Sequence, residues 1–205
     1  MKIITISREF GSGGRELGKR MADLLGIAYY DREIIAAISK ESKLDETYVA
    51  EILAKGILRS YPITIGRTFA YPTLSNQTAN NILIAQQKVV KSLAEHGDCI
   101  IMGQSADILL KEQQPLSLFV YADMTSKISR CRERSMSDEN LTDSGLRKQI
   151  KQIDAARASR YDMISSSKWG AKENYHLCIN TTNIEIKAIA PQIAEYAKIW
   201  LDMRK

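Results

Sequence analysis

The sequence predicts one α/β domain, a parallel sheet with helices on both faces, and three observations carry the prediction. Short apolar or β-branched runs (IITIS, IAYY, CIIMG, LSLFVYA, YHLCINTT) alternate with helical stretches, and strands separated by helices build a parallel sheet covered on both sides. A length of 205 residues with 44% hydrophobic content suits one compact core with a small inserted part. The residues with chemical character gather just after the apolar runs, where open α/β sheets hold their ligands.

Taken in order, IITIS reads as a buried strand, and residues 14–25 as a helix with Leu17, Met21, Leu24 and Leu25 at helical spacing and Gly26 as its stop. IAYY is a second short strand. Helices follow over 31–40 and 42–56, the latter opened by Ser42 or Asp45. Residues 56–75 hold RSYPITIGRTFAYP with its two prolines and read as a mobile loop over a ligand. A helix over 80–95 leads to the strand CIIMG, a short helix over 105–111, the strand LSLFVYA and a helix over 125–134. Residues 138–161 form a long polar helix with little apolar face, YHLCINTT is the last strand, and 184–200 is the closing helix. The chain has no internal repeat.

Composition excludes several classes. No stretch approaches the ~20 apolar residues of a membrane span, and the first apolar run is too short for a signal peptide, so a cytoplasmic protein without a membrane partner is expected. Cys99, Cys131 and Cys178 lack the spacing of a zinc site or a disulfide framework. The net charge of +5 is spread among acidic neighbours, which favours a small anionic ligand over nucleic acid.

FGSGGREL follows the first strand and opens a helix. Gly11, Gly13 and Gly14 let backbone N–H groups converge on an anion beside the positive helix end. The dinucleotide pattern G-x-G-x-x-G meets Glu16 where it needs its third glycine, although Asp31 stands where the ribose acid is expected. The pattern G-x-x-x-x-G-K-[ST] fits only with Arg8 or Glu9 as its first glycine and Gly14 or Arg15 as its lysine. The loop alone leaves both open.

The blocks ISREFGSGGRELGKRMADLLGIAYYDREII, IIMGQSADILL, DAARASRYD and KWGAKENYHLCINTT together resemble, in order and over nearly the whole chain, the cytidylate kinase-like family. The resemblance implies a three-layer P-loop NTPase fold over residues 1–205, with 31–80 as an acceptor-binding (NMP-binding) insertion and 135–172 as a helical lid. It implies a lysine-less loop as a family trait, with ATP phosphates on Gly11, Ser12, Gly13, Gly14 and Arg15, and nucleotides as partners. Asp31, Gln104 and Asp107 fall on the acceptor side, with Gln104 where the family usually carries arginine. Arg130, Arg134, Arg157 and Arg160 border or form the lid, where guanidinium groups neutralise a transferring phosphoryl group. Arg15, Arg157 and Arg160 are the expected catalytic residues.

The expected activity is transfer of the γ-phosphoryl of ATP to a nucleoside monophosphate or another small acceptor. Magnesium belongs to that chemistry, and Ser12 and Glu16 are its candidate ligands. The missing lysine, the missing magnesium hydroxyl and Gln104 equally suit a catalytically silent nucleotide sensor. A nicotinamide-dependent enzyme is a weaker third reading, opposed by Glu16 and the lid arginines. Trp169 and Tyr175 are expected to pack, Asn180 stands near the adenine side, and His96 and His176 have no assigned role.

Overall fold

The computed structural model describes residues 1–31, 33–55, 76–134 and 142–203. Among them five strands, β1 (Ile3–Arg8), β2 (Ala28–Tyr30), β3 (Cys99–Met102), β4 (Leu116–Tyr121) and β5 (Leu177–Asn180), form one parallel sheet in the order β2-β3-β1-β4-β5. β1 is central, with Ile4 beside Ile100 of β3 and Leu116 of β4. Its near-continuous apolar composition reflects burial on both faces.

Helices α1 (Gly14–Leu25) and α8 (Ile186–Asp202) cover one face. Leu17 and Met21 of α1, four apart on one stripe, meet Ile4, Ile6, Met102 and the Ala190, Ala194 and Ala197 stripe of α8. A Cβ on Gly18 would stand 2.6 Å from the Met102 sulfur, so glycine sets how closely α1 approaches the sheet. On the other face α2 (Glu33–Ser42), α3 (Glu46–Lys55), α4 (Asn76–Glu95) and the short α5 (Ala106–Leu109) bury Ile34, Ile38, Val49 and Ile82 against Ile3, Cys99 and Ile101. Two helical layers around a sheet are the arrangement the sequence predicts.

Two further helices, α6 (Met124–Arg134) and α7 (Asp143–Ile164), join through Ile128, Leu146 and Ile150, with Phe10 packed against them. The long polar helix starts later than its composition suggests. Thr142 caps it at Asp143, its hydroxyl accepting from the Gly145 N–H at 3.2 Å. Asp45 rather than Ser42 caps α3, accepting from the Tyr48 N–H at 3.0 Å, and α4 begins at Asn76, before the expected 80. The loop expected over 56–75 lies outside the described residues. Among the described residues no helix is long and apolar enough to cross a membrane.

Candidate functional site

The site grows from the carboxyl end of β1. Gly11 and Gly13 adopt left-handed φ values of 77° and 82°, and a Cβ on Gly13 would meet Ile186 of α8 at 2.5 Å. Only glycine fits there. Ser12 is fully buried; its hydroxyl donates to the Glu9 carbonyl at 2.8 Å and its own carbonyl accepts from the Thr181 hydroxyl at 2.7 Å. Gly13 caps α1 without a side-chain bond, so the first-turn N–H groups have no acceptor in the helix and stand beside its positive end. A cavity of about 300 Å³ opens here, lined by Gly11, Gly13, Gly14, Arg130, Arg134 and Arg157 among others.

A second cavity, of about 270 Å³, lies toward α2 and β3 and is lined by Arg8, Arg15, Arg157 and Arg160, with Asp31 as the one carboxylate among the described residues. Asp31, at the end of β2, is buried; its two oxygens stand 2.5 Å from Arg15 Nε and 3.2 Å from Arg8 Nη2. Arg8 is held close by Gly103, where a Cβ would come within 2.0 Å of the guanidinium. Arg157 donates to the Arg8 carbonyl at 2.8 Å, and its guanidinium lies 5.8 Å from the centre of the Phe10 ring. Burial and then the charge of Arg8 bring its pKa down to about 9, and the same two causes bring Arg160 to about 10. The Arg160 Nε is buried without a hydrogen-bond partner, as is the Gln104 Oε1. Among the described residues, Arg8 and Arg15 share Asp31, Arg157 reaches Asp154 at 3.5 Å, and the buried Arg160 faces no carboxylate within ion-pair distance, a positive excess that an anion would relieve.

Beneath the loop lies Lys127, 6% exposed on a helix where a lysine would ordinarily face water. Its Nζ stands 2.5 Å from Glu9 Oε2 and 3.3 Å from Asp154 Oδ2. The Phe10 N–H donates to Asp154 at 2.7 Å, and the Ala122 N–H to Glu9 at 3.3 Å. One ammonium group thus ties the loop to α6 and α7. Sequence reading gives Arg8 and Glu9 only a position in the loop pattern and passes over Lys127. The signals for them are a charge closing an apolar strand and a lysine just before the buried Ile128.

A profile of the cytidylate kinase-like family matches residues 3–183. The chain belongs to the cytidylate kinase-like family. A solved protein of uncharacterised function from Eubacterium ventriosum is similar at 22% identity and a TM-score of 0.69, over 97% of this chain and 99% of that one. Shikimate kinase from Bacteroides thetaiotaomicron is similar at 15% identity and a TM-score of 0.57, over 96% and 98%. Shikimate kinase from Acinetobacter baumannii, solved in complex with shikimate, is similar at 14% and 0.53, over 100% and 96%. These likenesses establish the fold, a parallel α/β sheet between helical layers that the two shikimate kinases share. No curated protein matches the sequence.

Within this cytidylate kinase-like chain the expected residues divide. Gly11, Gly13, Gly14, Arg15, Arg130, Arg134 and Arg157 meet at the loop cavity, and Arg15, Asp31, Gln104, Arg157 and Arg160 at the second. Asp107 lines neither. It faces a third cavity of about 590 Å³, its carboxyl beside the Tyr161 and Ser7 hydroxyls, and burial raises its pKa to about 6. Arg130 is turned to structural use, donating to the Thr181 and Ile184 carbonyls at 2.5 and 3.0 Å. Trp169 and Tyr175 pack on Phe119, with ring centres 5.3 and 4.9 Å away. His96 sits 2.5 Å from the Ser92 carbonyl, and His176 accepts from the Ser117 N–H.

Magnesium fares worse. The Ser12 hydroxyl is spent on Glu9, and the Glu16 carboxylate stands 2.9 Å from Arg20 and 3.2 Å from Arg134. Among the described residues no His, Cys, Asp and Glu cluster suits a metal ion. The donor set does not fit, so neither Ser12 nor Glu16 stands as a magnesium ligand.

Proposed function

We propose that this chain transfers the γ-phosphoryl group of ATP to a nucleoside monophosphate, cytidylate-like, or to another small anionic acceptor. The carrying observation is that the loop cavity and the second cavity share Arg8, Phe10, Arg15 and Arg157. A donor in the first and an acceptor in the second would meet at guanidinium groups. An acceptor oxygen attacks the γ-phosphorus, the bond to the β–γ bridging oxygen breaks, and ADP leaves with that electron pair. Arg157 stands where charge spreads over the transferring group, and Arg160 holds the acceptor's anionic end. The region 31–80 serves the acceptor and the helix α7 the lid. Gln104 in place of arginine weakens one charged contact, which favours an acceptor other than cytidylate.

The silent-sensor reading keeps one specific support, the Arg15–Asp31 pair, which engages the arginine nearest the loop. ADP release with CMP, UMP, AMP, GMP and shikimate in turn separates the two. Turnover with one acceptor upholds the kinase; ATP binding without turnover on any acceptor upholds the sensor.

A further inference from the structure

We infer, on the nucleotide-binding reading above, that this site meets the charge of its triphosphate with protein guanidinium groups and offers a divalent cation no ligand of its own. In P-loop kinases the ion is held by a hydroxyl one position after the loop lysine and by a strand-end aspartate. Counted from Arg8 as the first position of the loop, the hydroxyl place is Arg15; counted from Glu9, it is Glu16. Neither side chain is a hydroxyl, and both are ion-paired. The strands β3 (CIIM) and β4 (LSLFVY) contain no acid.

Among the described residues the carboxylates that line the two cavities are Asp31 and Glu9, and each is already neutralised. Asp31 is gripped by Arg15 and Arg8, and Glu9 by Lys127 and the Ala122 N–H. A cation approaching Asp31 would have to displace two guanidinium groups and would meet their repulsion on the way. Arg15 carries the complementary half of the argument. It is 48% exposed and lines both cavities. Asp31 engages its Nε, and among the described residues no hydrogen bond uses its Nη groups. Those groups form a fork suited to phosphate oxygens. Asp31 thus holds the Arg15 guanidinium in place beside both cavities.

Calorimetric titration of the full chain with ATP, once in excess magnesium and once in EDTA, tests this. Dissociation constants agreeing within about threefold, a difference of ~0.7 kcal/mol, are expected. ATP binding more than about tenfold tighter with magnesium overturns the inference and leaves the nucleotide reading standing. No binding of ATP, CTP or GTP in either buffer overturns the nucleotide reading and this inference with it. Arg15→Ser removes the fork, frees Asp31 and supplies a hydroxyl, so its affinity in EDTA should fall about 10- to 100-fold and recover in part with magnesium. Parent-like affinity of this variant in EDTA overturns the inference. Arg15→Lys keeps the charge and should stay indifferent to magnesium, which separates loss of charge from loss of fold.

Discussion

The surroundings of the glycine loop and the wall of the second cavity are both crowded with charge, and they treat it in opposite ways. Around the loop the charges are paired: the buried Lys127 with Glu9 and Asp154 and, nearer the surface, Glu16 with Arg20 and Arg134. In the second cavity, among the described residues, four arginines line the wall with one aspartate, Arg157 reaches Asp154 at its edge, and Arg160 Nε and Gln104 Oε1 are buried without partners. Matched charge fixes a conformation, whereas unmatched buried charge costs stability and is retained where a ligand completes it. On the proposed function, the loop would be a scaffold whose backbone N–H groups act together with Arg15 on phosphate, and the wall of the second cavity would set specificity.

The sharpest way to break this contrast is to remove one charge from each side. Lys127→Ala leaves the partly buried Glu9 without its cation and Asp154 with Arg157 alone, and should cost about 3 kcal/mol of stability, read as a large fall in Tm. Arg160→Leu should leave Tm unchanged or raised while acceptor-dependent turnover falls. Equal destabilisation by the two would erase the distinction. Arg157→Ala tests the shared boundary: turnover should fall about 10²–10³-fold, with ATP affinity reduced far less. Unchanged turnover would remove Arg157 from the transfer step.

Asp107, off both cavities, supplies a control whose effect is smaller and depends on pH. Burial raises its pKa from 3.8 to about 6, so the fold favours the protonated form. That stabilisation is complete below pH 4 and lost as pH rises through 6, about 3 kcal/mol at most for a shift of this size. Asp107→Asn should flatten the stability profile between pH 4 and 6 and exceed the parent at pH 8, by urea denaturation at each pH. The smallest effect belongs to Lys19→Ala, one turn beyond Arg15. It should move ATP affinity by less than about 0.5 kcal/mol, and a larger loss would extend the phosphate site along α1.

Much of this was legible in the sequence wherever the determinant is local. Leu17 and Met21 at helical spacing with Gly26 behind them fix α1, and five apolar runs fix the strands. The glycine loop could be placed at a strand end because strand, glycines and helix are contiguous. Pairings across the fold were not legible, because neither partner carries a local mark of the other. Arg15 meets Asp31 through the neighbouring end of β2, and Lys127 finds Asp154 from a different helix. Asp107 looked like a ligand because it follows Gln104 on one short segment, yet one helical turn carries it to the far side of Tyr161. Ser12 looked like a metal ligand because hydroxyls in such loops often are; its burial under Thr181 depends on a residue 169 positions away.

That last bond sets an order on the making of the protein. The Thr181 hydroxyl closes on the Ser12 carbonyl, and Arg130 closes on Thr181, only when β5 has docked beside β4. A chain emerging from the ribosome has its glycine loop within the first fifteen residues but must wait for the last strand before that loop is locked. On the proposed function, a chain without β5 would present this loop unlocked, and ligand binding would add its stabilisation only after the last strand has docked.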